Sequence, residues 1–213
     1  MDLLLAEELL LLAYRPKGSA LINLEMLDYT ISAAVLAELI LRERLEFTGG
    51  RFGVTDPAPV GDPELDKILG RLALREDPAE FEDCWTAMYT PARRERLLER
   101  LAVRGAITIQ RRTYLKVFKE ELFPEADPAF RESVRERVLA ALAAEAEPDR
   151  RTLALVSLAH AAGLIAKALP KADRKRTAEL AGQDALGSMV AKAFKQAAAG
   201  SVAKVAMKGG SAE

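Results

Sequence analysis

The chain has 213 residues, which is enough for one domain with its own hydrophobic core and short for two independent domains. Half of the residues are hydrophobic and 30% are charged, a composition that excludes both a disordered chain and an integral membrane protein. The formal net charge is −1, which excludes a strong overall attraction to nucleic acid or to an anionic membrane, so any anion-binding surface must be local.

The first predicted element is a helix at the amino terminus. Asp2 is a suitable N-cap, and seven leucines between positions 3 and 12 cover more than one helical face. The run contains Glu7 and Glu8, is shorter than the roughly 20 residues of a membrane-spanning helix, and lacks the basic start of a signal peptide. We therefore predict a buried helix, and neither an anchor nor a secretion signal.

Further helices and one hairpin follow. Apolar residues at helical spacing predict a second helix over 27–45. The next segment, 45–54, alternates apolar residues around a Gly-Gly turn and predicts a β-hairpin. A proline-rich connection then leads to predicted helices over 64–75 and 81–88.

The most clearly bounded predicted helix covers residues 91–104. It begins with Thr90-Pro91, an N-cap followed by proline at the first helical position, and it ends before Gly105. Arg94 falls between Leu98 and Leu101 on the helical wheel, where the pattern requires an apolar side chain. At about 100° per residue, the four other arginines fall on one stripe beside this apolar face: Arg93, Arg96, Arg100 and Arg104.

The position of Arg94 requires an explanation, because burying an unpaired charge costs several kcal/mol. One hypothesis is an internal salt bridge, for which Glu38 and Glu8 are candidate partners. The other is that Arg94 lines a pocket for an anionic ligand, because a planar guanidinium suits phosphate. The sequence leaves both hypotheses open.

The remainder of the chain is predicted to be mostly helical. Alternating β-branched and aromatic residues over 106–118 predict a second hairpin, basic on one side and apolar on the other. A charged amphipathic helix is predicted over 128–145, and the almost continuously apolar residues 149–169 predict a central helix. The alanine-rich region 177–207 fits one or two helices, and 209–213 are predicted to be disordered.

These elements predict a mainly α fold: a single-domain helical bundle around a buried central helix, with one or two short β-hairpins, over residues 1–208.

Charge is unevenly distributed along the chain. Residues 1–92 carry 8 basic and 17 acidic side chains, whereas residues 93–119 carry 9 basic and 2 acidic ones. Blocks of opposite sign either pair across the folded surface or leave a basic anion-binding face, and both interpretations stay open.

Motifs for catalysis are missing from the sequence. It contains no glycine-rich phosphate loop, no metalloprotease or serine-hydrolase motif, and a single histidine. His160 lies in the most apolar predicted helix and is predicted to be a core residue, and the single cysteine, Cys84, is predicted to be buried. We expect no enzyme activity, no catalytic residues, no metal and no cofactor, and the cysteine usage is compatible with a reducing cytoplasm.

Five segments of the chain, taken in order, carry a resemblance to a known family: Leu5–Leu12, Ala37–Leu45, Pro59–Asp66, Arg94–Gly105 and Arg151–Ala161. Together they resemble the Golgi phosphoprotein 3 family. The resemblance implies a mostly helical domain with a projecting hairpin, here at about 110–121, and a cytoplasmic, peripheral membrane protein that binds phosphatidylinositol 4-phosphate. It also implies binding to cytosolic tails of glycosyltransferases and self-association through the hairpin.

The resemblance implies a head-group pocket of one tryptophan and three arginines, of which only one is retained. The tryptophan position falls on Asn23, and the three arginine positions fall on Ser32, Pro91 and Arg94. Losing two cations and an aromatic wall weakens binding of a doubly charged head group, at roughly 1.5 to 3 kcal/mol per charge-assisted contact. We therefore expect the specificity for phosphatidylinositol 4-phosphate to be changed or lost.

A basic face is the remaining candidate for membrane binding. We expect Arg94 to contact an anionic head group, with Arg93, Asn23 and Ser32 beside it. Each near-surface cation contributes roughly 1 kcal/mol at low screening, so binding to anionic lipids is expected to be weak and salt-sensitive. The candidate membrane-facing residues on the helix and the hairpin are Arg96, Arg100, Arg111, Arg112, Tyr114, Leu115 and Lys116.

Two other functions are compatible with the sequence. A helix, a helix and a basic hairpin resemble a winged-helix nucleic-acid-binding module, and this order occurs at 27–54 and 91–118. The acidic halves of the chain would repel DNA, which disfavours this alternative. The other is a non-enzymatic adaptor that docks protein tails or helices, with the arginine stripe merely solvated.

Overall fold

The computed structural model describes residues 3–114, 118–143 and 147–196, and of Thr86, 112–114 and 118–120 it describes the backbone alone. The predicted disordered tail, 209–213, lies outside these ranges. The fold is mainly α with two small antiparallel sheets, which confirms the predicted class. Residues 185–196 are also helical. The bounded helices are α1 (Leu5–Ala13), α2 (Leu24–Leu41), α3 (Pro63–Ala73), α4 (Phe81–Ala87), α5 (Pro91–Val103), α6 (Pro128–Ala143), α7 (Arg150–Ala161), α8 (Ile165–Ala168) and α9 (Arg174–Gln183).

Helices α1 and α2 form the centre of the fold. Every residue of α1 is buried, as its leucine pattern predicted. Helix α2 packs against α1, α3, α5 and α7, so it is the central helix. Its first turn is capped by Asn23, whose side-chain oxygen accepts hydrogen bonds from the N–H groups of Glu25 and Met26 at 2.8 and 3.3 Å.

Two predictions about helix bounds were wrong. Helix α1 begins at Leu5, and the Leu4 N–H is satisfied by the Glu7 carboxylate at 2.7 Å; the predicted N-cap, Asp2, lies outside the described residues. The apolar run 149–169 is not one central helix. It ends as α7 before Gly163, whose φ of 66° stops the helix, and α8 follows as a separate turn.

The first hairpin matches its prediction. Strands β1 (Leu45–Thr48) and β2 (Arg51–Val54) pair around Gly49 and Gly50, whose φ angles of 61° and 84° suit the tight turn. A third strand, β3 (Ala79–Glu80), pairs with β2 and completes the sheet. The sequence gives no signal for this two-residue strand, because its partner residues are far away in the chain.

The second hairpin lies closer to the carboxyl terminus than the residue pattern predicted. Strand β4 (Gln110–Tyr114) pairs with β5 (Phe118–Leu122), in agreement with the range of about 110–121 that the family resemblance implies. The alternation of β-branched and aromatic residues had placed both strands within 106–118. Ala106 and Ile107 are buried in the core, so this segment anchors the end of α5 before the pairing begins.

Within the described ranges, no helix has both the length and the apolar character needed to span a bilayer.

Candidate anion-binding site at the amino-terminal ends of α2 and α5

The guanidinium of Arg94 lies against the first turns of α2. Its Nη1 atom donates a hydrogen bond to Oδ2 of Asp28 at 3.1 Å and lies equally close to Oδ1, and it reaches the carbonyl oxygen of Leu24 at 3.4 Å. The side chain of Arg94 is 12% exposed and that of Asp28 only 3%. Of the two hypotheses for Arg94, the structure shows the internal ion pair.

The predicted partners of Arg94 were wrong. Glu38 and Glu8 are both bound by Arg151, whose Nη1 lies 3.0 Å from Glu38 and whose Nε lies 3.3 Å from Glu8. Asp28 stands four residues before Ser32 and therefore shares its helical face, but this spacing does not identify Asp28 as the partner of Arg94.

The Asp28 carboxylate is held in an unfavourable environment. Burial raises its pKa, and the Arg94 charge only partly opposes this effect. In the described chain, Oδ1 of Asp28 accepts no hydrogen bond. Burial also raises the pKa of Tyr14 to about 12, with opposing contributions from Arg94 and Asp28. Arg94 is therefore neutralised by a carboxylate that is itself incompletely satisfied.

Aromatic rings lie next to this ion pair. Tyr29, the residue after Asp28, packs on Tyr89 with ring centroids 4.4 Å apart and on Trp85 at 4.8 Å. The indole N–H of Trp85 donates to the carbonyl oxygen of Tyr29 at 2.9 Å, which fixes the ring. The sequence-based candidates did not include Tyr29, Tyr89 or Tyr14, because their proximity depends on how α2 meets the segment before α5.

The prediction that Arg93 belongs to an accessible stripe of arginines on α5 was wrong. We expected it near the surface, but its side chain is 4% exposed. Its Nη1 atom donates to the Ser32 hydroxyl at 3.0 Å and to the Met88 carbonyl oxygen at 2.8 Å, and its Nε donates to Glu64 at 3.3 Å. The helical wheel failed here because it cannot show that α2 and α3 cover this side of the first turn of α5.

Ser32 and Asn23 have structural contacts of their own. Ser32 is fully buried, and its hydroxyl lies within hydrogen-bonding distance of the Asp28 and Met88 carbonyl oxygens, at 3.0 and 3.2 Å. Asn23 caps α2 and is exposed at the edge of the site. The structure thus brings Asn23 and Arg94 to one edge and places Ser32 and Arg93 beneath it.

The other arginines of α5 are paired with carboxylates from the acidic first part of the chain. Arg96 binds both carboxylate oxygens of Glu64. Arg100 lies 3.1 Å from Glu7 and 2.8 Å from Asp62. For α5 the structure therefore shows pairing of the charge blocks, and not an open basic face. These arginines line an open groove of about 540 Å³ beside Val103, which is 90% exposed.

The hairpin candidates are only partly described. Arg111 pairs with Glu121 across the two strands at 2.6 Å. Only the backbone of Arg112 and Tyr114 is described, and Leu115 and Lys116 lie outside the described residues.

Both His160 and Cys84 were predicted to be buried, and the structure confirms this for Cys84 only. His160 was predicted to be a core residue, but it is exposed in the last turn of α7, on the face that points away from the core. Cys84 is buried as predicted, and burial raises the pKa of its thiol to about 11. In the part of the chain that the structure describes, no group of three or more histidine, cysteine or acidic side chains is placed to hold a metal ion.

The family model of Golgi phosphoprotein 3 (GPP34) matches residues 5–199. No curated protein matches the chain.

Proposed function

The chain belongs to the Golgi phosphoprotein 3 family, and we propose that it is a non-enzymatic, peripheral membrane-binding protein that takes the phosphate of an anionic lipid at Arg94. The observation that carries this proposal is the Arg94–Asp28 pair. It occupies the one position at which the chain keeps a residue of the head-group pocket that the family resemblance implies. In the described conformation, the Asp28 carboxylate takes the place that a lipid phosphate would take.

The surroundings of Arg94 suit a membrane surface. Leu24, whose carbonyl oxygen contacts Arg94, is 45% exposed at the start of α2. An apolar side chain beside a cation allows shallow insertion while the cation meets the phosphate. Asn23 adds a polar group at the same edge.

The competition with Asp28 sets the expected affinity. A phosphate must displace an existing carboxylate from Arg94, so part of its binding free energy is lost. Asp28 is nevertheless a weak competitor, because burial disfavours its charged form and one of its oxygens lacks a hydrogen bond in the described chain. We therefore propose weak binding with little preference for phosphatidylinositol 4-phosphate.

Long-range attraction to the membrane is also smaller than the sequence suggests. Arg96, Arg100 and Arg111 each have an acidic partner within about 3 Å, so their fields are largely cancelled. The same pairing removes the support for a nucleic-acid-binding module, because α5 would be its recognition helix.

Vesicle co-sedimentation tests the proposal. The vesicles contain phosphatidylcholine alone, with phosphatidylserine, or with phosphatidylinositol 4-phosphate at matched charge. At low salt we expect weak binding to both anionic compositions, which Arg94→Ala reduces and high salt abolishes. Arg71→Ala, which removes an exposed charge on α3, is the matched control and should bind like the unmodified chain. Absence of binding to every anionic vesicle at low salt would contradict the proposal.

A further inference from the structure

Two adjoining grooves lie on the surface formed by α7, α9 and the helical residues 185–196. They have volumes of about 350 and 300 Å³, and they meet at His160. Small or buried residues form the floor of the first groove, including Ser157, Ala181 and Gly187. The other polar side chains that line it are His160, Ser188, Lys192 and Lys195. The second adds Arg174.

The charges in these grooves are not internally neutralised. No carboxylate is among the residues that line either groove. Arg174, Lys192 and Lys195 are exposed and take part in none of the ion pairs of the described chain. This distinguishes them from the arginines of α5, each of which faces an acidic partner.

The nearby carboxylates are engaged elsewhere. Asp184 accepts a hydrogen bond from the Gly187 N–H at 2.7 Å and caps the helical residues 185–196, and burial raises its pKa. Asp173 caps α9 by accepting from the Arg176 N–H at 2.9 Å. Glu179 lies 3.9 Å from both Lys175 and Arg176. None of these acids lines either groove, and none forms an ion pair with Lys192 or Lys195 in the described chain.

The floor of the groove is rigidly defined. A Cβ atom at Gly187 would lie 1.9 Å from Oγ of Ser157, so the absence of a side chain at Gly187 lets the helical residues 185–196 pack closely on the Ser157 side chain of α7. Ser157 also donates a hydrogen bond to the Ala181 carbonyl oxygen at 3.0 Å, which ties α7 to α9. Lys192 and Lys195 therefore line a depression of about 350 Å³ whose floor is closed by the packing of the helical residues 185–196 on α7.

We propose that this depression binds a phosphomonoester group, with Lys192, Lys195 and His160 as its donors. Lysine ammonium groups and an imidazole N–H supply charge-assisted hydrogen bonds to phosphate oxygens, and the small floor residues leave room for them. A soluble phosphomonoester and a phosphatidic acid head group share this chemistry. The site is separate from Arg94 and does not rest on the membrane-binding proposal.

His160 provides a direct probe, because it is the only histidine of the chain. Its ring signals are followed by nuclear magnetic resonance at constant pH and ionic strength, first with inorganic phosphate and then with phosphatidylcholine vesicles that contain phosphatidic acid. We expect saturable shifts with phosphate, and an affinity at least about fivefold weaker in a Lys192→Ala/Lys195→Ala variant. A Lys17→Ala/Lys67→Ala variant, which removes two exposed lysines elsewhere, should titrate like the unmodified chain.

The titrations with phosphate and with phosphatidic acid vesicles distinguish a soluble ligand from a lipid head group. Shifts with phosphate alone support a soluble ligand, and shifts that also occur with the phosphatidic acid vesicles support a lipid head group. The proposal is overturned if neither probe shifts the His160 signals, or if the groove variant and the control variant titrate alike. Thermal unfolding of both variants establishes that they are folded.

Discussion

The guanidinium of Arg93 reaches the hydroxyl of Ser32, with Nη1 3.0 Å from Oγ. Ser32 stands where the family resemblance places an arginine, so this chain supplies a cation to the same region from the neighbouring helix. That cation is buried and neutralised by Glu64 at 3.3 Å. Its role in this structure is to join α5 to α2 and α3.

This contact predicts a large effect of Arg93 on stability. Arg93→Met removes a buried partner of Glu64 and the closer of the two donors to the Met88 carbonyl oxygen. We expect a loss of about 3 kcal/mol in the free energy of unfolding, measured by urea denaturation. Arg71→Met, at an exposed position of α3, should change it by less than about 0.5 kcal/mol. Equal effects of the two substitutions would show that the Arg93 contacts contribute little.

Glu38 predicts how stability depends on pH. Burial raises its pKa, but the Leu5 N–H at 2.8 Å and the Arg151 charge outweigh burial, so the pKa lies below its usual 4.5. The unfolded chain therefore takes up a proton at a higher pH than the folded chain. The stabilisation is present above pH 4.5 and is lost as the pH falls through the lowered pKa.

Urea denaturation at a series of pH values measures this effect. We expect the free energy of unfolding to fall steeply below pH 4.5 in the unmodified chain and less steeply in Glu38→Gln. The pKa of Glu64 is also lowered, by its contacts with Arg96 and Arg93 against the effect of burial, so part of the slope persists in the variant. An unchanged slope in Glu38→Gln would contradict the assignment.

Alanine substitutions at Gly187 and Gly182 test the close packing of the helical residues 185–196 on α7. Gly187→Ala places a methyl group 1.9 Å from Oγ of Ser157, and we expect it to destabilise the fold by about 1 to 3 kcal/mol. Gly182, near the end of α9, has no atom within 4 Å of an added Cβ. Gly182→Ala should therefore be neutral or stabilise by up to about 1 kcal/mol through helix propensity. Thermal unfolding compares the two, and a neutral Gly187→Ala would show that the helices can separate without cost.

The sequence predicted the elements of the fold better than their contacts. Strong local signals located the first hairpin at Gly49-Gly50 and the start of α5 at Thr90-Pro91, because turn and capping preferences act over a few residues. The partner of Arg94 was not predictable in this way. Asp28 lies 66 positions earlier in the chain, and only the packing of α5 on α2 brings the two together.

The burial of individual arginines was equally beyond sequence patterns. The helical wheel identified Arg94 as unusual but placed Arg93 on the accessible stripe, whereas the structure buries Arg93 more deeply. For His160 the error was in the opposite direction: the residue was predicted to be buried but is exposed. The apolar run around it indicated a core position, whereas the residue lies in the last turn of α7, one residue before the helix ends.

A double-mutant cycle on vesicles tests most directly whether Asp28 occupies the place of a lipid phosphate at Arg94. Binding to phosphatidylcholine vesicles with phosphatidylserine is measured at low salt for the unmodified chain, Asp28→Asn, Arg94→Ala and the double variant. We predict that Asp28→Asn binds about fivefold more tightly, the ratio for ~1 kcal/mol, and that this gain disappears in the Arg94→Ala background. If Asp28→Asn binds no more tightly than the unmodified chain, or if the gain persists without Arg94, Asp28 does not compete with a head group at this site.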